Sequence, residues 1–219
     1  MSKNAALHLL LGFAASTLLA FNFFYDPPAC AIAVNKLNVF YIGVDNPVSI
    51  VVRGVPKEQV VVKGDGLNLR KSPGDNDDYT VTATTPGTGY ITVSGGDLKP
   101  VKFQYRVKKI PDPVPRLGNK HRGGTMGNGE LNAQGSISAV LENFDFDARC
   151  DVVGFEVTYL AKRQDPFTMF NSGGRFNNEV SDFVKKAKPG DVYFFDEIKC
   201  RCPGDATARN LGSLVFRIR

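Results

Sequence analysis

Apolar and polar residues alternate over short stretches of the first half of the chain, and glycine- or proline-rich turns separate these stretches. In residues 79–84, Tyr79, Val81 and Ala83 face one way and three threonines face the other. That period of two predicts a half-buried β-strand. Further strands of this kind are predicted over residues 48–53, 60–63, 90–94 and 102–108. Short strands at this spacing predict an immunoglobulin-like sandwich of under about 80 residues.

The second half of the chain also predicts strands, over residues 135–142, 144–150, 191–202 and 214–218. In the second of these, Phe144 and Phe146 alternate with polar residues and are expected in the core. Another inward row is predicted to contain Val153, Phe155, Val157 and Tyr159. Residues 165–174 are predicted to form a loop, because a proline and a pair of glycines interrupt them.

One helix is predicted over residues 178–188, where apolar residues recur at helical spacing. Asn177 or Asn178 can cap its start, and Pro189 with Gly190 ends it. The second domain is therefore expected to be β-rich with one short helix.

Three prolines at positions 111, 113 and 115 lie between the two halves. Proline fixes φ and lacks a backbone donor, so residues 110–118 are predicted to be a stiff connector rather than a helix or a central strand. The predicted organisation is an export segment at 1–33, a sandwich domain at 34–109, this connector, and a second domain at 119–219.

Residues 5–24 are almost continuously apolar and are followed by two Ala-x-Ala sites, at 29–31 and 31–33. This arrangement predicts a secretory signal that is removed. Two alternatives remain open: a retained membrane anchor, since a spanning helix needs about 20 apolar residues, and lipidation at Cys30. Contact with the membrane is expected only if the segment is retained.

Several short sequence segments resemble the periplasmic C-terminal region of the GldM family. They are VFYIGVDNP at 39–47, RVKKIPDPV at 106–114, LENFDFDARC at 141–150, AKPGDVYFF at 187–195 and CPGD at 202–205. The resemblance implies a mainly β chain, in which an immunoglobulin-like sandwich precedes a GldM C-terminal-like domain. It also implies a periplasmic or outer-membrane-associated component of the gliding motility and type IX secretion machinery, not an enzyme.

In that family the C-terminal region dimerises and meets outer-membrane-associated ring components, so the resemblance implies envelope proteins and a second copy as partners. Family members begin with a membrane helix and a long helical domain, whereas this sequence enters its β domains behind an export signal. That difference leaves a second hypothesis open: a stand-alone periplasmic or surface adhesin-like binding module.

The formal net charge is +5, and much of the basic excess lies around the connector. Alternation places Lys102, Arg106 and Lys108 on one exposed strand face, and with Arg116 they are candidates for a partner surface. An acidic protein or lipid phosphates would suit these cations, while nucleic acid is not expected for an exported chain. A merely solvated strand face is the alternative.

Three cysteines, Cys150, Cys200 and Cys202, remain if the first segment is removed. Cys200 and Cys202 point to the same face of one strand, so they are not expected to pair with each other. A disulfide from Cys150 to one of them is expected, and the leftover thiol could link two chains. Zinc bound by the three cysteines and His121 is an alternative without a usual ligand spacing.

The sequence contains no Gly-x-Ser-x-Gly, His-Glu-x-x-His or phosphate-loop motif. Asp145 and Asp147 occupy the outward positions of a predicted strand, and the acidic stretch at 75–78 is interpreted as a solvated turn rather than a calcium loop. No catalytic residue, metal or cofactor is therefore expected.

Overall fold

The computed structural model describes residues 29–34, 38–73 and 78–219. Most of the expected export segment and most of the acidic stretch at 75–78 lie outside the described residues. Within the part that is described, no helix is long and apolar enough to cross a membrane.

Alternating apolar residues build the first domain as a sandwich of two four-stranded sheets. Its strands are β1 (Ala29–Val34), β2 (Val39–Tyr41), β3 (Asn46–Arg53), β4 (Val61–Asp65), β5 (Asn68–Lys71), β6 (Asp78–Thr82), β7 (Gly87–Gly95) and β8 (Leu98–Lys108). A short 3-10 helix, Lys57–Gln59, precedes β4. One sheet has the order β1-β3-β6-β5 and the other has the order β2-β8-β7-β4.

The apolar faces of the two sheets pack against each other. Val48 and Ile50 from one sheet and Ile91 and Val93 from the other are almost completely buried. This confirms the alternation that the sequence predicts for these strands.

Strand β1 differs from the expectation that residues 29–33 belong to the export segment. All six of its residues pair with β3, from Ala29 opposite Arg53 to Val34 opposite Val48. The side chains of Cys30 and Ile32 pack against the core of the sandwich. The same small and apolar residues that resemble a cleavage site therefore also suit an edge strand.

The second domain places a mixed sheet beside a two-stranded sheet and two helices. Its elements are β9 (Val114–Leu117), β10 (Gly124–Met126), α1 (Asn128–Asn132), β11 (Ile137–Val140), β12 (Asp151–Leu160), β13 (Phe167–Ser172), α2 (Asn178–Lys185), β14 (Val192–Arg201), β15 (Arg209–Asn210) and β16 (Leu214–Ile218). The main sheet has the order β10-β16-β14-β12-β13, β15 pairs with β14, and β9 pairs with β11.

Helix α2 contributes its apolar residues to the core of the second domain. Val180 and Val184 are buried there together with Phe155 and Phe195 of the sheet. The side chain of Asn177 accepts a hydrogen bond from the Val180 amide at 2.8 Å, which confirms the predicted cap. The helix ends at Lys185, three residues before the predicted end.

One strand prediction and one loop prediction in this domain are wrong. Residues 144–150 form no strand: the segment is irregular between Asn143, which has φ of 53°, and an isolated bridge at Cys150. The loop predicted over 165–174 instead contains β13, which pairs with β12 over six residues. Phe167 and Phe170 are both exposed although they lie on opposite faces of the strand. The sequence of β13 therefore shows no alternation of apolar and polar residues.

A bulge in β12 explains why Val153, the first residue of the predicted inward row, is exposed. The pairing of β12 with β14 shifts register on both sides of Gly154, and a bulge reverses which residues face the core. Val152 is buried and Val153 is exposed, whereas Phe155 and Val157 are fully buried as predicted.

The connector is shorter than the predicted 110–118. Strand β9 already begins at Val114, and Pro115 pairs with Ala139 of β11. Pro115 fits because β9 is paired on one side only, which is where proline is tolerated in a sheet. Only residues 109–113 separate the last strand of the first domain from the first strand of the second.

Candidate functional site at the domain joint

The two domains meet in a small apolar cluster of their own. Val44 from the first domain, Ile110 from the connector, and Cys150 and Cys202 from the second domain are all buried in it. We call this cluster, with the side chains packed on it, the domain joint. Burial of connector residue Ile110 holds the connector against both domains, so the domains are not merely tethered.

An aromatic group closes one side of the domain joint. The ring of Tyr41 lies 4.9 Å from that of Phe144 and 5.1 Å from that of Phe146, both in edge-on geometry. Phe144 and Phe146 keep the alternating burial that the sequence predicts, but they pack on the first domain rather than in the core of a strand. Aromatic pairs of this geometry are stabilising beyond their buried area.

A disulfide joins Cys150 to Cys202, with a Cα–Cα distance of 4.1 Å. Asp151 pairs with Arg201, so the two cysteines lie directly opposite each other at the ends of β12 and β14. The sequence left open which of Cys200 and Cys202 is the partner. Cys200 is a free thiol, and its complete burial argues against the expected role in linking two chains.

Arg209 connects the disulfide-bonded turn to the connector. Its guanidinium donates to the Ile110 carbonyl at 2.7 Å, to Asp112 at 2.9 Å and to Asp205 at 2.6 Å. Asp205 in turn accepts from the Cys202 amide at 2.9 Å. The Arg209 guanidinium thus binds three acceptors from two segments of the joint, the connector and the turn that contains Asp205.

The electrostatics of this network favour its ionised form. Burial alone would raise the pKa of Asp205, but hydrogen bonds from Arg209 and the Cys202 amide, together with nearby positive charges, lower it below its ordinary value. The hydrogen bond to Asp205 raises the pKa of Arg209. The pair is therefore ionised at neutral pH.

Two glycines allow the backbones of the domains to touch. Gly43 has φ of 84° and Gly204 has φ of 79°. A side chain at Gly43 would collide with the backbone of Pro203 and Gly204. Both positions therefore require glycine, for conformation and for space.

Three of the four candidate cations are exposed on β8, as the alternation predicts: Lys102, Arg106 and Lys108. Lys102 lies 3.5 Å from Asp65, and its ammonium stands 3.8 Å from the centre of the Tyr90 ring. The row ends at Lys108, two residues before the buried Ile110 of the domain joint.

The fourth candidate, Arg116, has a different environment. It lies on β9 of the second domain, donates to Glu142 and to the Lys120 carbonyl, and is largely covered. Arg122 also donates to Glu142. The hydrogen bond from Arg116 is the main cause of the lowered pKa of Glu142. Arg116 therefore serves an ion pair within its own domain.

The described residues contain no group of three or more His, Cys, Asp or Glu side chains placed to hold a metal. The zinc alternative does not fit, because Cys150 and Cys202 are disulfide-bonded and His121 lies beside Glu130, at 3.7 Å.

An open groove of about 800 Å³ follows the joint between residues 43–45, 82–84 and 147–149.

Sequence reasoning missed Arg209, Asp112 and Asp205 as members of the joint. Arg209 lies 97 residues from Asp112, and no local pattern connects an isolated arginine to a distant turn. The sequence features that could have pointed to the joint are the prolines around Asp112 and the CPGD segment that contains Asp205.

Two family models match the chain. The model described as the GldM third domain matches residues 29–108, and the model described as the GldM C-terminal domain matches residues 111–219. The boundary between the two matches coincides with the connector. No curated protein matches the sequence.

Solved structures with a detectable likeness include the tandem Ig repeats of Dlar (9% identity, 88% of this chain and 98% of that chain covered, TM-score 0.29). Domains 6-7 of the surface layer protein SbsC show 10% identity, coverage of 86% and 97%, and a TM-score of 0.30. DIP-gamma IG1+IG2 shows 9% identity, coverage of 89% and 98%, and a TM-score of 0.26. At these TM-scores the likeness carries no further argument.

The two family matches cover consecutive domains, in the order in which the structure presents a sandwich, a connector and a β-rich domain. The chain therefore belongs to the GldM family and contains its third and C-terminal domains.

Proposed function

We propose that this chain is an exported, non-enzymatic structural module of the gliding motility and type IX secretion machinery, which acts through protein contacts of its two domains. The GldM domain families support the machinery and the structural role. Export, with a periplasmic or outer-membrane-associated location, is part of the proposal.

The domain joint is the observation that carries this proposal. A disulfide, a buried apolar cluster and the Arg209 network all act at the same boundary. Domains connected by a short chain alone are expected to move relative to each other, and the joint opposes such motion. A pair of domains held in a fixed orientation suits a structural component that binds other proteins through both domains.

The exposed row of Lys102, Arg106 and Lys108 is the proposed partner surface. It lies on the first domain and reaches the joint, so an acidic protein could touch both domains while it meets several cations. Cations at the rim of an interface mainly raise the rate of association. We expect envelope proteins, including ring components of the secretion machine, and not nucleic acid.

Affinity capture of the tagged chain from a cross-linked envelope fraction tests the proposal. Core components of the secretion machine should be recovered with the wild-type chain. The matched control is the same tag on the same chain with Gly43→Asp, which disrupts the joint and should reduce recovery. Recovery of the folded wild-type chain without any machine component would contradict the proposal and favour a stand-alone adhesin-like binding module.

A further inference from the structure

Within residues 29–34, 38–73 and 78–219, no strand pairs with the outer side of β13, which is an edge of the main sheet in the second domain. The strand order ends at β13, which pairs with β12 on one side only. An edge strand presents a row of backbone donors and acceptors to any extended chain that can lie beside it. The ligand that fits these backbone donors and acceptors is therefore an extended strand.

Soluble proteins usually protect such edges with charges, prolines or bulges. Residues 167–172, FTMFNS, contain neither a charge nor a proline, and their pairing with β12 is regular. By contrast, two edge strands of the first domain carry charges: Lys63 and Asp65 on β4, and Arg70 and Lys71 on β5. The edge strand β2 is uncharged, but none of its three residues is exposed. Strand β1 is also uncharged, but its described exposed side chains are small alanines.

Two large apolar side chains accompany the unprotected edge. Phe170 is 62% exposed, and its ring lies over Gly154 on one face of the sheet. Phe167 is 51% exposed and stacks on Phe183 of α2 at 5.0 Å on the other face. A strand added at this edge would find an aromatic contact on each face.

Exposed cations bracket the strand at both ends. Lys162 and Arg163 lie in the turn before β13, together with Asp165, and Arg175 lies just beyond the strand. The exposed Glu156 of β12 lies opposite Phe170, so cations are in excess at the ends of β13 while a carboxylate lies beside its centre. A six-residue strand spans about 20 Å. A partner strand with an uncharged centre and carboxylates near its ends would match this distribution.

We propose that β13 is a docking edge for an extended strand of a protein partner, with an uncharged alternating centre and acidic ends. The inference rests on the proposed function, because it names how the second domain would hold a partner. Pairing of an extended segment onto a sheet edge is an established mode of recognition, in which the backbone supplies affinity and side chains supply specificity.

The test uses the purified full chain and a synthetic peptide in which alternating threonines and valines are flanked by glutamates. The peptide should bind saturably and slow hydrogen exchange at the amides of residues 167–172. The same peptide with lysines in place of the glutamates should lose most of this binding, more so at low salt.

Phe170→Lys should abolish peptide binding, because it places a charge at the centre of the edge. The matched control is Val51→Lys, since Val51 of β3 is 63% exposed and also lies on a sheet. Circular dichroism and melting temperature verify that both variants are folded.

No slowing of exchange over residues 167–172, or unchanged binding by Phe170→Lys, would overturn the inference. Concentration-dependent protection of β13 without peptide would also overturn it, because the occupant would then be a second copy of the chain. If the Phe170→Lys chain still recovers secretion-machine components from the envelope, the docking edge fails while the proposed function stands.

Discussion

Single buried polar side chains hold several turns of both domains. The amide nitrogen of Asn46 donates to the carbonyls of Tyr41, Val44 and Val81 at 3.0 Å each, and its oxygen accepts from the Tyr41 amide. The side chain of Asn171 does the same work for residues 172–177. Each asparagine replaces the regular pairing that these turning segments lack.

Replacing Asn46 with alanine should lower the free energy of unfolding by about 3 kcal/mol, because several buried backbone groups would lose their partner. Asn68→Ala, at an exposed position of β5, is the matched control and should change stability by less than about 0.5 kcal/mol. Urea denaturation of the two variants measures the difference. Equal stabilities would show that the Asn46 bonds are replaced by water.

Asp205→Asn should lower stability at neutral pH by about 3 kcal/mol, since it removes the buried carboxylate of the pair and leaves Arg209 only the exposed carboxylate of Asp112. The pKa of Asp205 is lowered in the folded chain from an ordinary value of 3.8. Its stabilisation is therefore present above that value and is lost as pH falls through the lower folded-state pKa.

The difference in stability between wild type and Asp205→Asn should accordingly become smaller as the pH is lowered. Melting temperatures of both proteins, measured along a pH series, can follow this difference. A gap that stays constant down to the lowest pH at which both proteins fold would mean that the carboxylate charge contributes nothing.

Among the secondary-structure elements, those with one buried face were predictable. Strand β16 buries Leu214, Phe216 and Ile218 in strict alternation, and α2 has both an apolar face and an asparagine cap. Strand β13 and the β12 bulge were not, since an edge strand need not alternate and a bulge depends on the partner strand. The joint itself required contacts between residues far apart in sequence.

At the level of strand β8, reversing Lys102, Arg106 and Lys108 to glutamate should leave the melting temperature nearly unchanged and slow partner capture. The effect should be largest at low salt, because rim charges act on association. Capture kinetics at two ionic strengths provide the measurement.

The matched control for β8 reverses Arg70, Lys71 and Lys188, three exposed cations elsewhere with the same change in net charge. If both triple variants capture partners alike, the β8 row is only a solvated face.

For the whole molecule, the joint connects the two domains through buried side chains and hydrogen bonds as well as through the connector. The disulfide links segments 52 residues apart, and its closing turn also contacts the first domain through Pro203 and Gly204. Loss of the disulfide therefore affects both the second domain's stability and the orientation of the first.

The double variant Cys150→Ser with Cys202→Ser should lose about 4 kcal/mol of stability in the second domain by the loop-entropy relation. Small-angle scattering should show a larger radius of gyration, because the domains become freer to reorient. Cys200→Ser, which keeps the disulfide, is the control. Scattering that is identical for the double variant and the control would show that the remaining contacts fix the orientation.

The order of the cysteines has a consequence for biogenesis. Of the three cysteines in the second domain, a chain that emerges from its amino terminus presents Cys150 first, then Cys200, and only afterwards the native partner Cys202. The first oxidation can therefore trap Cys150 with the wrong sulfur, and thiol–disulfide exchange must correct it. Oxidative refolding of Cys200→Ser should reach the native disulfide faster than wild type, and an added disulfide isomerase should remove that difference.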